Sequence, residues 1–579
     1  MSNSNPPHRN PGDSKDFPEP VAIPRFTGRD LPPIGRLFIQ FTPPLAIAAL
    51  ILMVLSRPDS VAAVIYDLRT FVTGSFTWLF ILYSLFAVAV CAWLVFSKIG
   101  KRVRLGGPNA KPEYSNFAWY SMLFACGQGI GLIFWSVAQP IMLRDESPVI
   151  QGLAGNEAGG GLVWAYFHWG FTAWAMYCVV AVCLAYSHHN LGKTLTFREA
   201  TVDILPQWAR GGAGVVVELL AIMATILGLS TSFAFAAMQF TSGLTSFTGV
   251  TSSPGVWLFV IVGLGTAAAI SAFFGISRGM RMISETNSVL SVVLVVAAFV
   301  FGPTLFIISN VTQTFGSYFT NFIPMSFWTD APNTAEPLAS WQQSWNGWWT
   351  VFIWCWVIAF SPFVAGFIAR ISRGRTLREF VIGVTIVPSL IVMVWIGVLG
   401  SAAIYYDDLT GRGLSAAVNE NVASGLFVML ESIPVVGGLL VVVATVLVAT
   451  YYVTSLDAGT YALADFVSAP KRAGAWFRVV LVISIGAVAT VLLTLGGSGV
   501  VDTVQTGTII GAFPFSIVIL LMIVNTIRRL LSRDRAIKEL EKMVNDPDPS
   551  VEFEIEGDGE FKAKVNEETG SIGYRSRLT

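Results

Sequence analysis

Apolar runs of roughly twenty residues, each long enough to cross a bilayer as a helix, recur along nearly the whole chain. The pattern predicts twelve membrane spans, at 36–56, 77–97, 117–143, 162–187, 214–246, 255–274, 286–309, 347–370, 380–404, 427–466, 475–496 and 507–530. The polar, proline-rich stretch 1–35 lacks the apolar core and small-residue cleavage site of a signal peptide; it reads as a disordered cytoplasmic tail. Beyond the last span a polar helix is expected, either resting on an anionic membrane surface or standing as a solvated flank. From Asn545 onward the tail reads as acidic and loose. Three parts result: a tail at 1–35, a helical domain at 36–530, and a C-terminal helix and acidic tail at 531–579.

The connections alternate in charge. Lys98, Lys101, Arg102, Arg104 and Lys111 follow the second span, and Lys193, Arg198 and Arg210 follow the fourth. Arg278 and Arg281 follow the sixth, Arg370, Arg373, Arg375 and Arg378 the eighth, and Lys471, Arg472 and Arg478 the tenth. The segments 247–254, 310–345 and 497–506 contain no Lys or Arg. Positive loops remain on the cytoplasmic side, so the alternation supports twelve spans with both termini in the cytoplasm of a bacterial cell bounded by its inner membrane.

Two spans carry helix breakers at depth: Gly127-Gln128-Gly129-Ile130-Gly131 and Pro140 in the third, Ser361-Pro362 and Gly366 in the eighth. Paired interruptions in corresponding halves of a membrane chain point to a binding site, although glycines at this spacing also serve close helix packing. Spans three and eight are five apart. That suits two inverted five-helix repeats, about 117–309 and 347–530, preceded by two extra helices.

Composition narrows the function. Of the 579 residues, 54% are hydrophobic and only 12% charged, and the formal net charge is zero, which excludes the basic footprint of a nucleic-acid binder. The five cysteines all fall inside apolar runs, and with the four histidines they form no metal-ligand or redox spacing. No nucleophile set, cofactor motif or phosphate-binding loop is visible, which argues against an enzyme and against nucleotide-driven transport. A channel would need a ring of carbonyls or charges around one pore, and no such filter is seen.

The interruptions lie in longer stretches that resemble the betaine–choline–carnitine transporter (BCCT) family. They are Gly127 to Trp135 with Ala138-Gln139-Pro140; Phe167-His168-Trp169-Gly170 with Trp174 to Tyr177; Ser361-Pro362-Phe363-Val364 running through Arg370-Ile371-Ser372-Arg373-Gly374-Arg375-Thr376; and Val453-Thr454-Ser455-Leu456-Asp457. The similarity spans about residues 35 to 530. It implies an all-α, LeuT-like inverted-repeat membrane protein, commonly a homotrimer in the lipid bilayer. It also implies a secondary carrier, working by alternating access, for small solutes with a trimethylammonium or dimethylsulfonium head.

A methylated onium head has no proton to donate and a diffuse charge, so aromatic faces can hold it by cation–π attraction. Trp169, Trp174 and Tyr177 fall within about 140° of one helix face, and Trp356, Phe360 and Phe363 recur at i, i+4 and i+7. Taken alone, such stripes are more often packing surfaces or interfacial belts than cages. The resemblance makes the first three a substrate cage. Where the family places a Trp-Trp pair, this chain has Trp356-Val357, so the fourth wall falls to Trp354, Trp356 or Phe360. Gln128, in the interrupted segment, either donates to the substrate or satisfies freed backbone, and Ser232 completes the substrate-binding candidates.

The resemblance also implies sodium as the coupling ion. One site would use Tyr451, Thr454 and Ser455 with the carbonyls of Ala125 and Gln128. On the residues alone, mid-helix hydroxyls more simply bond back to the preceding turn. A second site would pair Thr225 with Phe363, but its other hydroxyl position is Leu229, which cannot ligate a cation. Asp457 reads either as a proton or cation group or as the cap of a half-helix. Sodium-coupled symport is the leading expectation. Sodium-independent exchange of onium solutes, or carriage of a methylated amine, is the alternative, and no cofactor is expected.

Overall fold

The computed structural model describes residues 33–545 except 128, 152, 154–155, 275–276, 332–343, 469–473 and 497–498, and three strands beyond 550. The side chains of some residues beside these gaps, 124–127 among them, lie outside the described set. So does the expected N-terminal tail up to residue 32.

Two long helices lead, α1 (Pro33–Ser56) and α2 (Pro58–Phe96), followed by the short α3 (Lys98–Arg102). A first set of five crossings comes next. Its first member is the pair α4 (Asn116–Gly127) and α5 (Ile130–Met142); its second is the pair α6 (Gly160–Trp169) and α7 (Phe171–Ala185), with a turn, α8 (Phe197–Thr201), after it. α9 (Arg210–Thr248), α10 (Pro254–Phe274) and α11 (Ser277–Phe301) complete the set, and α12 (Thr304–Phe327) links it to the second. There α13 (Trp345–Trp348) runs into α14 (Thr350–Ile371), and α15 (Leu377–Ile404) follows. The short α16 (Leu414–Glu420) and α17 (Gly425–Glu431) lead to α18 (Gly437–Ser468), α19 (Ala475–Leu495) and α20 (Val500–Asn545). Among the described residues, eleven crossings are long and apolar enough to span a membrane. The broken pair α4–α5 makes the twelfth.

The two sets of five are related by their contacts. Fourth packs on fourth (α10 on α19) and third on third (α9 on α18). The first member of each packs on the second of the other, α5 on α15 and α14 on α7, and third meets fourth both ways, α9 on α19 and α10 on α18. Reciprocal contacts of this kind are those a two-fold axis generates. An odd number of crossings reverses the chain's direction, so the second repeat is inverted relative to the first.

Several expected boundaries move, each for a local reason. The break expected at Pro362 does not occur. Proline removes the hydrogen bond that the Ile358 carbonyl would receive, and the Ser361 hydroxyl donates to that carbonyl at 2.7 Å instead, so α14 runs straight through. The fourth crossing, expected to be unbroken, is kinked at Gly170. The tenth is unbroken from Gly437 to Ser468, so Asp457 lies mid-helix and caps nothing. The seventh ends at Phe301, before Gly302-Pro303, and much of the connection expected after it is the helix α12. The C-terminal tail, expected to be loose, carries a three-stranded antiparallel sheet, β1 (Val551–Ile555), β2 (Glu560–Val565) and β3 (Arg575–Arg577). Its register sets Glu552 opposite Lys564 and Glu554 opposite Lys562, and the period-two alternation of Val551 to Ile555 is the strand signal that was overlooked. Residues from Arg528 onward belong to a compact unit separate from Gly28–Ile527.

The second crossing also starts earlier than its apolar run suggested, at Pro58, and so includes Arg69, which is fully buried. Its guanidinium donates to the Asp502 carbonyl (2.7 Å), Thr506 Oγ1 (3.0 Å), Gln505 Oε1 (3.0 Å) and the Gly347 carbonyl (3.5 Å). The Trp348 indole donates to the Asp502 carboxylate at 2.9 Å. One cation thus ties α2 to α13 and α20. Removing it strands several buried acceptors, each costing about 1–3 kcal/mol. Arg69→Leu should therefore lower the melting temperature of the purified protein in detergent by roughly 10 °C, with Arg69→Lys recovering part of the loss, as read by size-exclusion after heating.

Candidate functional site

The break between α4 and α5 leaves Gly129 extended, at φ −171° and ψ 176°, as the N-cap of α5. The first N–H groups of a helix have no acceptor within it and carry the positive end of its dipole. Gly129, Ile130 and Gly131 line a cavity of about 110 Å³ enclosed by α5, α6, α7, α9, α14 and α18.

Gly170 turns the aromatic wall toward that cavity. A Cβ at this position would lie 2.4 Å from Met393 Cε, which can move, and 2.5 Å from the Tyr166 backbone carbonyl, which cannot, so only glycine fits at the kink. The kink it forms places Trp169, at the end of α6, and Trp174 and Tyr177, on α7, together in the lining. Trp174 and Tyr177 meet at 5.5 Å, with ring planes 61° apart.

The facing wall comes from α14. Trp356 stands edge-on to Trp169 at 5.7 Å and 76°. It is stacked on Phe352 at 5.3 Å, and its indole N–H donates to Ser232 Oγ at 3.1 Å. Phe360 and Phe363 continue the wall one and two turns on, and Val357 lines it between them. A Cβ on Gly131 would lie 2.9 Å from the Trp356 ring and 3.0 Å from that of Trp169, so the bare Cα is what lets both rings close over the α5 terminus. Among the described lining residues none carries a charge, and the side-chain oxygens are the hydroxyls of Ser232, Ser455 and Tyr177.

Of the substrate candidates, the structure thus gathers Trp169, Trp174, Tyr177, Trp356, Phe360 and Ser232. It sets Trp354 apart. Two residues from Trp356, and so about 200° round the helix, Trp354 is fully buried against Phe167 and His168, each 5.7 Å away. Gln128 lies outside the described residues.

The sodium candidates are dispersed. Ser455 and Phe363 face the cavity. Thr454 Oγ1 bonds back to the carbonyls of Thr450 (2.9 Å) and Tyr451 (3.3 Å). Thr225 does likewise to Ala221, at 2.7 Å. The Tyr451 hydroxyl points to α11, 2.6 Å from Ser291 Oγ. Leu229 lies against α18, where a Cβ on Gly459 would come within 2.8 Å of it. Ala125 is in α4, among the residues whose side chains are not described.

Sequence reading overlooked Gln139 and Thr350. Trp169 Nε1 donates to Gln139 Oε1 at 2.7 Å, Gln139 Nε2 is 2.7 Å from His168 Nδ1, and His168 Nε2 is 3.0 Å from Thr350 Oγ1. The available signal was a Gln and a His in spans otherwise nearly free of such groups, His168 being adjacent to a cage Trp.

Comparison with known proteins matches residues 38–535 to the model of the BCCT, or betaine/carnitine/choline, family of transporters. The glycine betaine transporter OpuD of Bacillus subtilis is 35% identical over 87% of this chain and 96% of its own length. Glycine betaine transporter 1 of Vibrio parahaemolyticus is 36% identical over 80% and 90%. An ectoine/hydroxyectoine transporter of Virgibacillus pantothenticus is 32% identical over 85% and 96%.

The geometry at Gly131 generates a direct test. Gly131→Ala should weaken solute binding about ten-fold, since a displaced indole forfeits a cation–π contact of about 1–2 kcal/mol, while the melting temperature in detergent changes little. Titration of tryptophan fluorescence with glycine betaine reads the first, and a thermal ramp the second.

Proposed function

This chain belongs to the betaine/carnitine/choline family of membrane transporters, carriers rather than enzymes, and from that premise we propose that it takes up a small methylated onium solute, coupled to sodium, by alternating access. The observation that carries the proposal is the uncharged aromatic cavity set against the free N-terminus of α5. Trp169, Trp174, Tyr177 and Trp356 offer π faces to a diffuse cation, with Phe360 and Phe363 beside them. The α5 N–H groups offer an anion site of the kind that helix N-termini supply. A betaine has both halves, a methylated head and a carboxylate about two bonds away. The named activities of the relatives, glycine betaine and ectoine transport, fall in the same class of compact zwitterions. Val357 leaves one side of the cavity to a short aliphatic group, which removes a π face and leaves room beside the head.

Sodium coupling rests on the hydroxyls of Thr454 and Ser455 and on the family resemblance. In the proposed ion-bound state, Thr454 exchanges its back-bond to Thr450 for the ion. Sodium-independent exchange of one onium solute for another is the second reading, and the back-bonded state of Thr454 and Thr225 is the observation that favours it. A homotrimer in the bacterial inner membrane, with both termini cytoplasmic, follows from the resemblance and from the basic even-numbered connections.

Uptake into proteoliposomes decides between these readings. A panel of labelled glycine betaine, choline, carnitine, dimethylsulfoniopropionate and ectoine is offered with an inward sodium gradient or an equal potassium gradient. Uptake of a methylated zwitterion that requires sodium, and that falls at least ~100-fold in Trp169→Ala with the loss of a desolvated cation–π face and its packing, is the expected result. Equal uptake in potassium, or uptake only into vesicles preloaded with solute, replaces symport by exchange.

A further inference from the structure

We infer that Gln139 and His168 are positioning residues that hold the Trp169 indole in place for the solute, through a buried hydrogen-bond chain whose donors all point one way; the inference rests on the aromatic cavity proposed above. An indole N–H can only donate. The Gln139 atom 2.7 Å from it is therefore the amide oxygen, which turns the amide nitrogen toward His168 Nδ1, also at 2.7 Å. That ring nitrogen must then accept. A neutral imidazole carries its one proton on Nε2, which donates to Thr350 Oγ1 at 3.0 Å. The direction of every bond follows from the first. An imidazolium would set an N–H against the Gln139 amide N–H, so the chain holds only with an uncharged ring and places no cation beside a cationic solute.

The surroundings make the chain selective rather than incidental. Gln139, His168 and Thr350 are at most 1% exposed, so no water replaces a lost bond. His168 and Trp169 are neighbours on α6, yet both are tied to Gln139 on α5, which fixes the end of α6 just before the Gly170 kink. Thr350 is the first residue of α14, so the chain joins both walls of the cavity from behind. An indole already fixed in its binding orientation loses little freedom when the solute arrives, which is how preorganisation raises affinity.

The test joins a double-mutant cycle to a spectroscopic readout. With labelled glycine betaine as the probe, Gln139→Leu should raise the KM roughly ten-fold for the loss of one buried hydrogen bond, with Vmax within about two-fold. In a Trp169→Phe background, where there is no N–H to hold, Gln139→Leu should add nothing. His168→Leu should match Gln139→Leu, and His168→Asn, whose amide oxygen can stand in for Nδ1, should recover most of the loss. Additive effects in the cycle would overturn the inference. Nitrogen-15 NMR of histidine-labelled protein reads the chain without transport. Of the four histidines, the one lost in His168→Asn should be a neutral Nε2–H tautomer whose Nδ1 resonance shifts in Trp169→Phe. An Nδ1–H or doubly protonated ring there would overturn the inference even if glycine betaine is not carried. If Trp169→Ala takes up glycine betaine as the parent does, the aromatic cavity itself is the reading that fails, whatever the NMR shows.

Discussion

A chain that crosses hydrocarbon must satisfy its backbone N–H and C=O groups from within, because lipid offers neither donor nor acceptor. This constraint governs each irregularity in the bundle. At Pro362 the orphaned carbonyl is answered by Ser361, and the helix does not break. At Gly170 the helix bends but its bonds continue, with Gly170 N–H on the Tyr166 carbonyl (2.8 Å) and Trp174 N–H on that of Gly170 (3.2 Å). At the start of α5, Gly129, Ile130 and Gly131 line the cavity. A cavity is where unsatisfied backbone groups can be left for a solute to complete, and the structure puts the aromatic walls there.

The electrostatics of the cavity follow the same economy. Fixed charge would bind a cation strongly, but it would also hold sodium or potassium. Aromatic faces do not offer a small hydrated ion enough to replace its water shell. Each π contact contributes only about 0.5–2 kcal/mol, so recognition depends on several rings held in mutual geometry. That is why anchoring recurs around the site. Trp356 is tied to Ser232 and stacked on Phe352, and Trp169 is tied to Gln139 and backed by His168. The fully buried cation Arg69 donates to α13 and α20, and neither it nor any partner named for it lines the cavity.

The two-fold relation between the repeats gives this arrangement a mechanical setting. α5 of the first repeat packs on α15 of the second, and α14 of the second on α7 of the first. The cavity lies between these crossed pairs, with one wall from each repeat. A movement of one repeat against the other changes the distance between Trp169 and Trp356, and therefore the completeness of the ring of π faces.

Hydropathy and loop charge were enough to read twelve crossings from the sequence, because a membrane span is a property of twenty consecutive residues and bilayer thickness sets its length; the grouping came from the paired helix breakers, of which the one at Gly129 breaks its helix and the one at Pro362 does not. Trp169, Trp174 and Tyr177, which the resemblance implies as a cage, line one cavity with two of the three alternatives for its fourth wall, Trp356 and Phe360. What the sequence could not decide was how a local signal is answered by its surroundings. Pro362 reads as a break until the Ser361 hydroxyl is seen on the carbonyl that proline orphans. Gly170 reads as one glycine among many until the kink is seen to bring its Cα so close to the Tyr166 carbonyl that a side chain has no room. Trp354 and Trp356 are equal as letters and are separated only by which side of α14 meets α5. Tyr451 and Thr454 sit on one face of their helix, yet one bonds across to Ser291 and the other back to its own turn. Some of these outcomes are contacts between residues far apart in the chain and others are the rotamer a hydroxyl takes within its own turn; composition and periodicity record neither, and only the packed structure decides them.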